Sequence, residues 1–365
     1  MRKWAIRLSL VVLAAMILAT FVGLVAVDAW WIRVFDFPRL QFVLVIVLAM
    51  ALLLVLRTGK PWLWGGLGLL ALGFQLFQLY PYSPLVAKQA VAAARCSEAN
   101  RLALLSVNVL QSNRDYGRML GYLKDADADI ILAMETDAEW VEALSPLEAQ
   151  YPHGRKIPLS NSYGMALWSR LPLTELEDIE LAGDETPLIR ARVEMPSGQR
   201  PALFAVHPLP PRPGQSSSQR DAELILLADL VRESGRPTLV IGDFNDVPWS
   251  RVVETFQRVG QLVDPRRGRG FYASFDATNP FMRWPLDHVF HTDDFGVLAF
   301  ETGPDVGSDH FALHATLCLD EARFEPRQEA PELTEEAREN AIEELEAASD
   351  NVERMPSEEL RLPED

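Results

Sequence analysis

Leu8–Val27 is a run of twenty residues whose only polar members are Ser9 and Thr20. Phe42–Leu56 adds fifteen uninterrupted apolar residues, extended by Leu40, and Trp62–Tyr80 is a third run with Gln75 and Gln78 near its end. An apolar stretch of roughly 20 residues crosses the hydrocarbon of a bilayer as a helix, because a helix satisfies its own backbone groups there. The first run alone would read equally as a cleavable signal peptide, but its length and the two runs behind it favour three transmembrane helices within residues 1–85. Trp30, Trp31, Trp62, Trp64, Tyr80 and Tyr82 border the runs, where such rings favour the membrane–water interface. Basic residues in the short flanks set orientation. Arg2, Lys3, Arg7, Arg57 and Lys60 on one side outnumber Arg33, Arg39, Lys88 and Arg95 on the other by five to four. The expectation is an integral protein of a bacterial-type inner or plasma membrane, with its N-terminus inside and, after three crossings, its C-terminal domain outside the cytoplasm.

The chain is 48% hydrophobic, but that average joins unlike regions. After a linker at 86–100, residues 101–319 have the composition of an ordinary globular domain. From Asp320 onward the chain carries 17 Asp and Glu against 5 Arg and no Lys, so this tail holds −12 of the formal net charge of −17. The remainder is only −5, and the overall acidity therefore does not exclude an anionic substrate. Prolines interrupt the tail, and a helical stretch lies near Leu333–Ala348; a solvated or disordered extension is expected. The two cysteines, Cys96 and Cys318, lie at the two edges of the globular region. Two reduced core residues are one reading. In a domain outside the cytoplasm a disulfide clasping the first and last strands is the other.

Within the globular region, Leu102–Leu110 reads as a buried strand closing on Asn108. Arg118–Leu123 fits a helix, DIILAM (129–134) a second strand followed at once by Glu135, and SYGMALWSR (162–170) a third. Residues 189–208 read as a hairpin around a PSGQ turn, ending at His207. Arg220–Glu233 has helical apolar spacing. TLVIGDFND (238–246), LDHVFHT (286–292) and HFALHATLCL (310–319) supply further strands. Strands thus alternate with occasional helices and hairpins, which predicts an α/β sandwich of mixed sheets and not a regular doubly wound fold.

Polar residues sit at or just past the ends of these apolar strands: Asn108, Glu135, His207, Asp243 with Asn245, Asp287 with His288, and Ser308-Asp309-His310. Strand ends of a packed sheet converge in space, so these groups can line one cleft. Carboxylates with few imidazoles, no Cys ligand and no Gly-rich phosphate loop suit a hard cation such as Mg²⁺ better than zinc.

The ordered series SVNV (106–109), METD (134–137), YGMALWSR (163–170), VHPLPP (206–211), GDFND (242–246), LDHVF (286–290) and GSDH (307–310) resembles the endonuclease/exonuclease/phosphatase superfamily of DNase I-like and exonuclease III-like proteins. It covers about 101–319. The resemblance implies a four-layer α/β (α+β) sandwich, two mixed sheets flanked by helices, preceded here by the three-helix anchor. It implies a Mg²⁺ (or Mn²⁺) site with Glu135 as principal ligand and Asn108 and Asp309 beside it. It implies that Asp243 orients or deprotonates the attacking water and that Asn245 holds that water and a phosphate oxygen. His310 would stabilise developing charge with Asp287 fixing its ring, and His207 would bind a non-bridging oxygen. These roles match what phosphate-ester hydrolysis requires.

Plainer readings stand beside them. Glu135 could cap the helix suggested by 137–143, Asn108 could serve a turn, and His207 could merely precede Pro208. His288 reads as core packing as readily as function, and Asp246 as a turn or cap residue. Arg170 and Arg220 are candidate phosphate-binding residues, with ion pairs as their plainer reading.

The motifs define a reaction class and leave the leaving group open. Nucleic-acid enzymes usually carry a basic stripe, and the only dense basic cluster here is DPRRGRG (264–270), a loop for an anionic head group or simply solvated. An anchor would confine the enzyme where lipid phosphates are concentrated. The expectation is a membrane-anchored, metal-dependent phosphoesterase with a lipid-linked phosphate mono- or diester as favoured substrate and the bilayer as partner. An extracytoplasmic endo- or exonuclease acting on nucleic acid is the first alternative, and a catalytically inactive, membrane-tethered interaction module the second. Nothing in the sequence points to a protein partner.

Overall fold

The computed structural model describes residues 1–24, 29–57, 61–93, 95–182, 186–210, 216–319 and 330–349. Residues 58–60, most of the second interhelical loop, and the tail at 320–329 and 350–365 lie outside the described residues, as does part of the loop after His207. The chain divides into two compact units, 1–86 with 211–217 and 87–210 with 218–365.

The first unit is helical: α1 (Arg2–Val22), a short α2 (Trp30–Arg33), α3 (Arg39–Val55) and α4 (Pro61–Leu79). Two helical segments, Arg2–Val22 and Trp62–Tyr82, are each long and apolar enough to cross a membrane. The middle segment departs from a plain third span. Trp30–Asp36 and Arg39–Val55 are long and apolar enough only as a pair and meet at a 72° bend, the geometry of a broken span or a re-entrant loop. Pro38 lies at the break, where its ring and missing N–H stop a continuous helix. Leu13, Ile46, Leu53 and Ala71 are buried between the helices. A polar thread runs through them: Arg39 Nη2 meets Asp36 Oδ1 at 2.5 Å and its Nη1 donates to Gln75 Oε1 at 3.3 Å, while Gln75 Nε2 donates to Thr20 Oγ1 at 3.0 Å. Buried polar groups need such partners, so the thread ties the bent segment to α1 and α4.

The second unit is built on two mixed sheets. Its elements in chain order are β1 (Arg101–Asn108), α5 (Tyr116–Asp125), β2 (Ile130–Met134), α6 (Ala138–Leu144), β3 (His153–Ile157), β4 (Met165–Ser169), β5 (Leu173–Glu180), β6 (Pro187–Val193), β7 (Ala202–Val206), α7 (Ser218–Ser234), β8 (Thr238–Asp243), α8 (Arg251–Val259), β9 (Asp287–His291), β10 (Phe295–Thr302), β11 (Leu313–Leu319) and α9 (Glu335–Ser349). The six-stranded sheet has the order β10-β11-β1-β2-β4-β3 and the five-stranded sheet β5-β6-β7-β8-β9. Each sheet contains one parallel pair, β1 with β2 and β7 with β8, among otherwise antiparallel neighbours. A parallel pair needs a crossover, supplied here by α5 and α7, and the crossover brings both C-terminal strand ends to one edge.

Leu104, Leu132 and Leu167 of the first sheet pack against Leu203, Ile241 and Val289 of the second. The outer face of the first sheet is covered by α5 and α6 through Met119, Leu123, Trp140 and Leu144. The outer face of the second is covered by α7 and α8 through Leu224, Leu227, Val253 and Phe256. The result is helix, sheet, sheet, helix.

Several elements are not marked by apolar pattern. The edge strands β3 (HGRKI) and β5 (LTELEDIE) are largely polar, as edges protected from further pairing tend to be. The tail also departs from a solvated extension over its described part. Ala341, Leu345 and Ala348 of α9 are buried against α7 and α8. Arg251, at the start of α8, binds Glu343 at 3.1 Å and the buried Glu344 at 2.6 Å. The apolar stripe at helical spacing, short as it is, finds a surface to cover. Cys96 and Cys318 form a disulfide. β1 and β11 run antiparallel with Arg101 opposite Cys318, so the bond joins the entry and exit of the sandwich.

Candidate active site

The parallel pair β1/β2 ends with Asn108 opposite Met134 in register, and Glu135 follows immediately. Asn108 is buried, and its Nδ2 donates to Glu135 Oε1 at 2.9 Å and to Asp243 Oδ2 at 3.3 Å. One amide thereby links the two sheets. The other oxygen of Glu135 accepts from the Gln111 backbone at 3.0 Å. Glu135 adopts a φ of 61°, a left-handed conformation uncommon for this residue. It does not cap α6; Asp137 does, accepting from Trp140 N at 2.8 Å.

In the second sheet β8 ends on Asp243, directly opposite Asp287 at the start of β9. Gly242 sets this edge, because a Cβ there would lie 1.9 Å from the Val206 carbonyl and its φ of 148° favours glycine. Asp243 Oδ1 accepts from Asn245 N at 2.8 Å, an Asx turn that aims the loop back at the cleft. The Asn245 side chain donates to Pro208 O at 2.9 Å, next to His207. His310 stands between the two aspartates: Nδ1 is 2.7 Å from Asp287 Oδ2 and Nε2 is 3.6 Å from Asp243 Oδ2. His207 Nε2 lies 3.9 Å from the same Asp243 oxygen.

Burial acts on these groups in opposite directions. It lowers the histidines, and His207 falls to about 4. For His310 burial also pulls downward, but the Asp287 and Asp243 carboxylates outweigh it and push the ring up to about 10. Burial drives the Asp243 carboxyl up to about 7, against the pull of His310 and of the Asn245 and Asn108 hydrogen bonds. The site thus pairs one charged imidazole with one neutral one, around a carboxylate able to take a proton near neutral pH.

The sequence profile described as Endonuclease/Exonuclease/phosphatase family matches residues 105–310. The chain belongs to this family. Among solved structures, zebrafish TDP2 complexed with single strand DNA product is similar at 18% identity and a TM-score of 0.51, covering 60% of this chain and 98% of that one. Truncated Caenorhabditis elegans TDP2 is similar at 17% identity and a TM-score of 0.51, covering 60% and 97%. The human Nocturnin catalytic domain with bound sulfate anion is similar at 18% identity and a TM-score of 0.50, covering 61% and 96%. At these identities the likeness is one of fold. No curated protein matches the chain by sequence.

A family member that uses a divalent cation needs oxygen donors in one accessible place. Glu135 is half-buried, and burial raises the Asp309 carboxyl against the pull of His310, with the Glu135 charge adding to the rise. Two carboxylates close enough to interact, with the Asn108 amide alongside, fit a hard cation. Asp243, Asp287 and His310 also bring ligand atoms within 4.8 Å of one another. His310 Nδ1 and Asp287 Oδ2 are already engaged with each other, while Asp287 Oδ1 has no partner among the described residues, and the Nδ1–Oδ2 pair suits a proton-handling trio better than a cation cage.

Other residues singled out in the sequence lie elsewhere. Arg170 follows β4, whose Ser169 pairs with Ile130 at the far end of β2 from Glu135; it binds Asp127 at 2.7 Å and stacks on Tyr151. It is not at the cleft. Arg220 is adjacent to the cleft but buried, held by Asp221 at 2.6 Å and Asp246 at 3.0 Å, and it donates to Asn245 O at 2.9 Å. Its guanidinium braces the GDFND loop and is not presented to a substrate. His288 is core: it meets Arg266 and the Asp246 carbonyl and packs on Phe244. The 264–270 cluster is also spent internally, with Arg266 on Asp264, Arg267 on Glu254 and Arg269 on the Pro265 and Ala90 carbonyls.

The roles of the supporting residues were not visible in the motifs. Ser308 Oγ donates to Asn108 O at 2.7 Å and accepts from His310 N at 3.0 Å, so the serine of GSDH links two sites. Ser274 Oγ accepts from Asp287 N at 3.1 Å. Met134 Sδ accepts from Asp243 N at 3.1 Å. Ser308 and Met134 lie inside quoted motifs, beside Asp309 and Glu135, whereas Ser274 had no sequence signal.

Proposed function

We propose that the chain is a membrane-anchored, Mg²⁺- or Mn²⁺-dependent phosphoesterase with its catalytic domain outside the cytoplasm, acting on phosphate mono- or diesters and favouring a lipid-linked one. The observation that carries the reading is the continuous polar chain Glu135–Asn108–Asp243–His310–Asp287 across the two sheets. A cation held by Glu135, with Asn108 and Asp309 beside it, would neutralise phosphate oxygens and favour the charge of the transition state. Asp243 orients the attacking water and accepts its proton. His310, kept protonated by Asp287, donates from Nε2 to a phosphate oxygen as charge develops. Neutral His207 donates to a non-bridging oxygen, and Asn245 holds the water.

The anchor rests on the apolar helices of the first unit. The outside location rests on the basic bias of the flanks and on the disulfide, which persists in oxidising compartments. The lipid preference rests on tethering and on the loop before Asp287, where Phe281 is 78% and Met282 42% exposed while the same loop bonds Asp309 through Ala277 N. A nuclease is the second reading, favoured by the DNA product in the zebrafish neighbour. The internal use of the 264–270 arginines weighs against it.

The test uses the full chain in detergent with Mg²⁺, Mn²⁺ or EDTA, against single- and double-stranded DNA, phospholipid and polyprenyl-phosphate micelles, with Glu135→Ala as control. Metal-dependent release of phosphate or head group from lipid is expected. Cleavage of DNA alone would establish the nuclease, and silence from a folded protein on every substrate would contradict the hydrolase.

A further inference from the structure

Resting on the phosphoesterase reading, we propose that Arg283 forms a subsite for a second phosphate of the substrate, separate from the phosphate that reacts. Arg283 lies in the loop between Ser274 and Asp287. The base of that loop is fixed: Phe275 N donates to Trp284 O, Asp276 N to Met282 O, and Ala277 N to Asp309 O at 2.7 Å. The Phe275 ring lies 4.9 Å from the His310 ring, so the loop borders the reacting centre.

The Arg283 guanidinium sits over Phe311, the neighbour of His310, with Cζ 4.8 Å from the ring centroid. Among the described residues its one hydrogen bond is a long one, Nη2 to the Ala277 carbonyl at 3.4 Å, and its shielded Nε has no acceptor. Among the described residues no carboxylate forms an ion pair with it. The arginines around the same strand ends differ. Arg220 is held by Asp221 and Asp246, Arg114 by Asp137 and Glu139, and Arg118 by Asp305. A guanidinium held over a ring, with donors left over and no counter-charge among the described residues, is arranged to meet an anion in two-point fashion. The cleft it borders is where an anionic ester binds. The chemistry recognised is a phosphate on the same molecule as the scissile ester, whether on a lipid head group or on the next nucleotide.

The experiment compares two probe pairs on the full chain in mixed micelles with Mg²⁺: phosphatidylinositol against phosphatidylinositol 4-phosphate, and thymidylyl-thymidine against its 5′-phosphorylated form. The native protein should favour the member with the extra phosphate about 10–100-fold in kcat/KM in at least one pair, and that pair identifies the source. Arg283→Gln should abolish the preference through KM while leaving the partner without the extra phosphate within about twofold. Arg283→Lys should keep part of the preference and serves if the glutamine variant does not fold. No preference in the native protein, or an equal fall on both members of a pair, overturns the subsite. If all four probes are inert, the activity reading has failed on these substrates and titration calorimetry decides the subsite alone: Arg283→Gln must weaken inorganic pyrophosphate about tenfold or more relative to inorganic phosphate, and equal affinities overturn it.

Discussion

Asn108 does two jobs that are separable by substitution. Its Nδ2 bridges Glu135 and Asp243, while its Oδ1 accepts from Leu110 N at 3.0 Å and shapes the turn after β1. Asp287 has one partner in the site, and Asp287→Asn should cut turnover about 10²–10⁴-fold with KM little changed, because His310 loses the charge that keeps it protonated. An unchanged kcat would remove His310 from the mechanism. A second buried carboxyl, Glu223 on α7, is held among the described residues only by Thr186 Oγ1 at 3.2 Å, and burial pushes it from 4.5 up to about 8. Between those values the folded chain retains a proton that the unfolded chain has released. The stability this neutral group contributes is therefore complete below pH 4.5 and lost as pH rises to about 8. Glu223→Gln should match the native protein near pH 4.5 and exceed it at pH 8 by on the order of 1–3 kcal/mol. Thermal unfolding across that range reads the gap, and a gap that shrinks with pH would contradict it.

At the scale of elements, the strands that carry chemistry were legible because an apolar run ending on Asn, Glu, Asp or His is conspicuous. TLVIGD and DIILAME are such runs, and both became the second strand of a parallel pair. Arg170 and Arg220 were not resolved by pattern, since an arginine beside a motif looks the same whether it faces a substrate or an aspartate far off in sequence. The bend at Pro38 lies between Asp36 and Arg39, ahead of the apolar run from Phe42, where sequence pattern does not show that Trp30–Asp36 is helical. The α9 helix was legible as a helix, but its partner surface on α7 and α8 depends on long-range packing. Leu345 is 7% exposed there, and Leu345→Ala should cost about 2–3 kcal/mol in denaturant unfolding. A change within error would mean that α9 is detached in solution. Reducing the Cys96–Cys318 bond, which closes a separation of 222 residues, should lower stability by about 2–5 kcal/mol. An unaltered unfolding midpoint with reductant would contradict the clasp.

Across the whole molecule, an apolar helical unit and a family hydrolase fold share one chain, and the acidic tail accounts for most of the net charge. The central claim is that the residues joined by Asn108 form a cation-assisted hydrolytic site. The most direct test is turnover of bis(p-nitrophenyl) phosphate by the full chain in detergent, with Mg²⁺, after EDTA, and after Mg²⁺ is restored, beside Glu135→Ala and Asp243→Asn. The account predicts turnover that EDTA abolishes and Mg²⁺ restores, with both variants reduced by about 10³-fold or more at unchanged thermal unfolding. Turnover indifferent to EDTA, or retained in both variants, would contradict it.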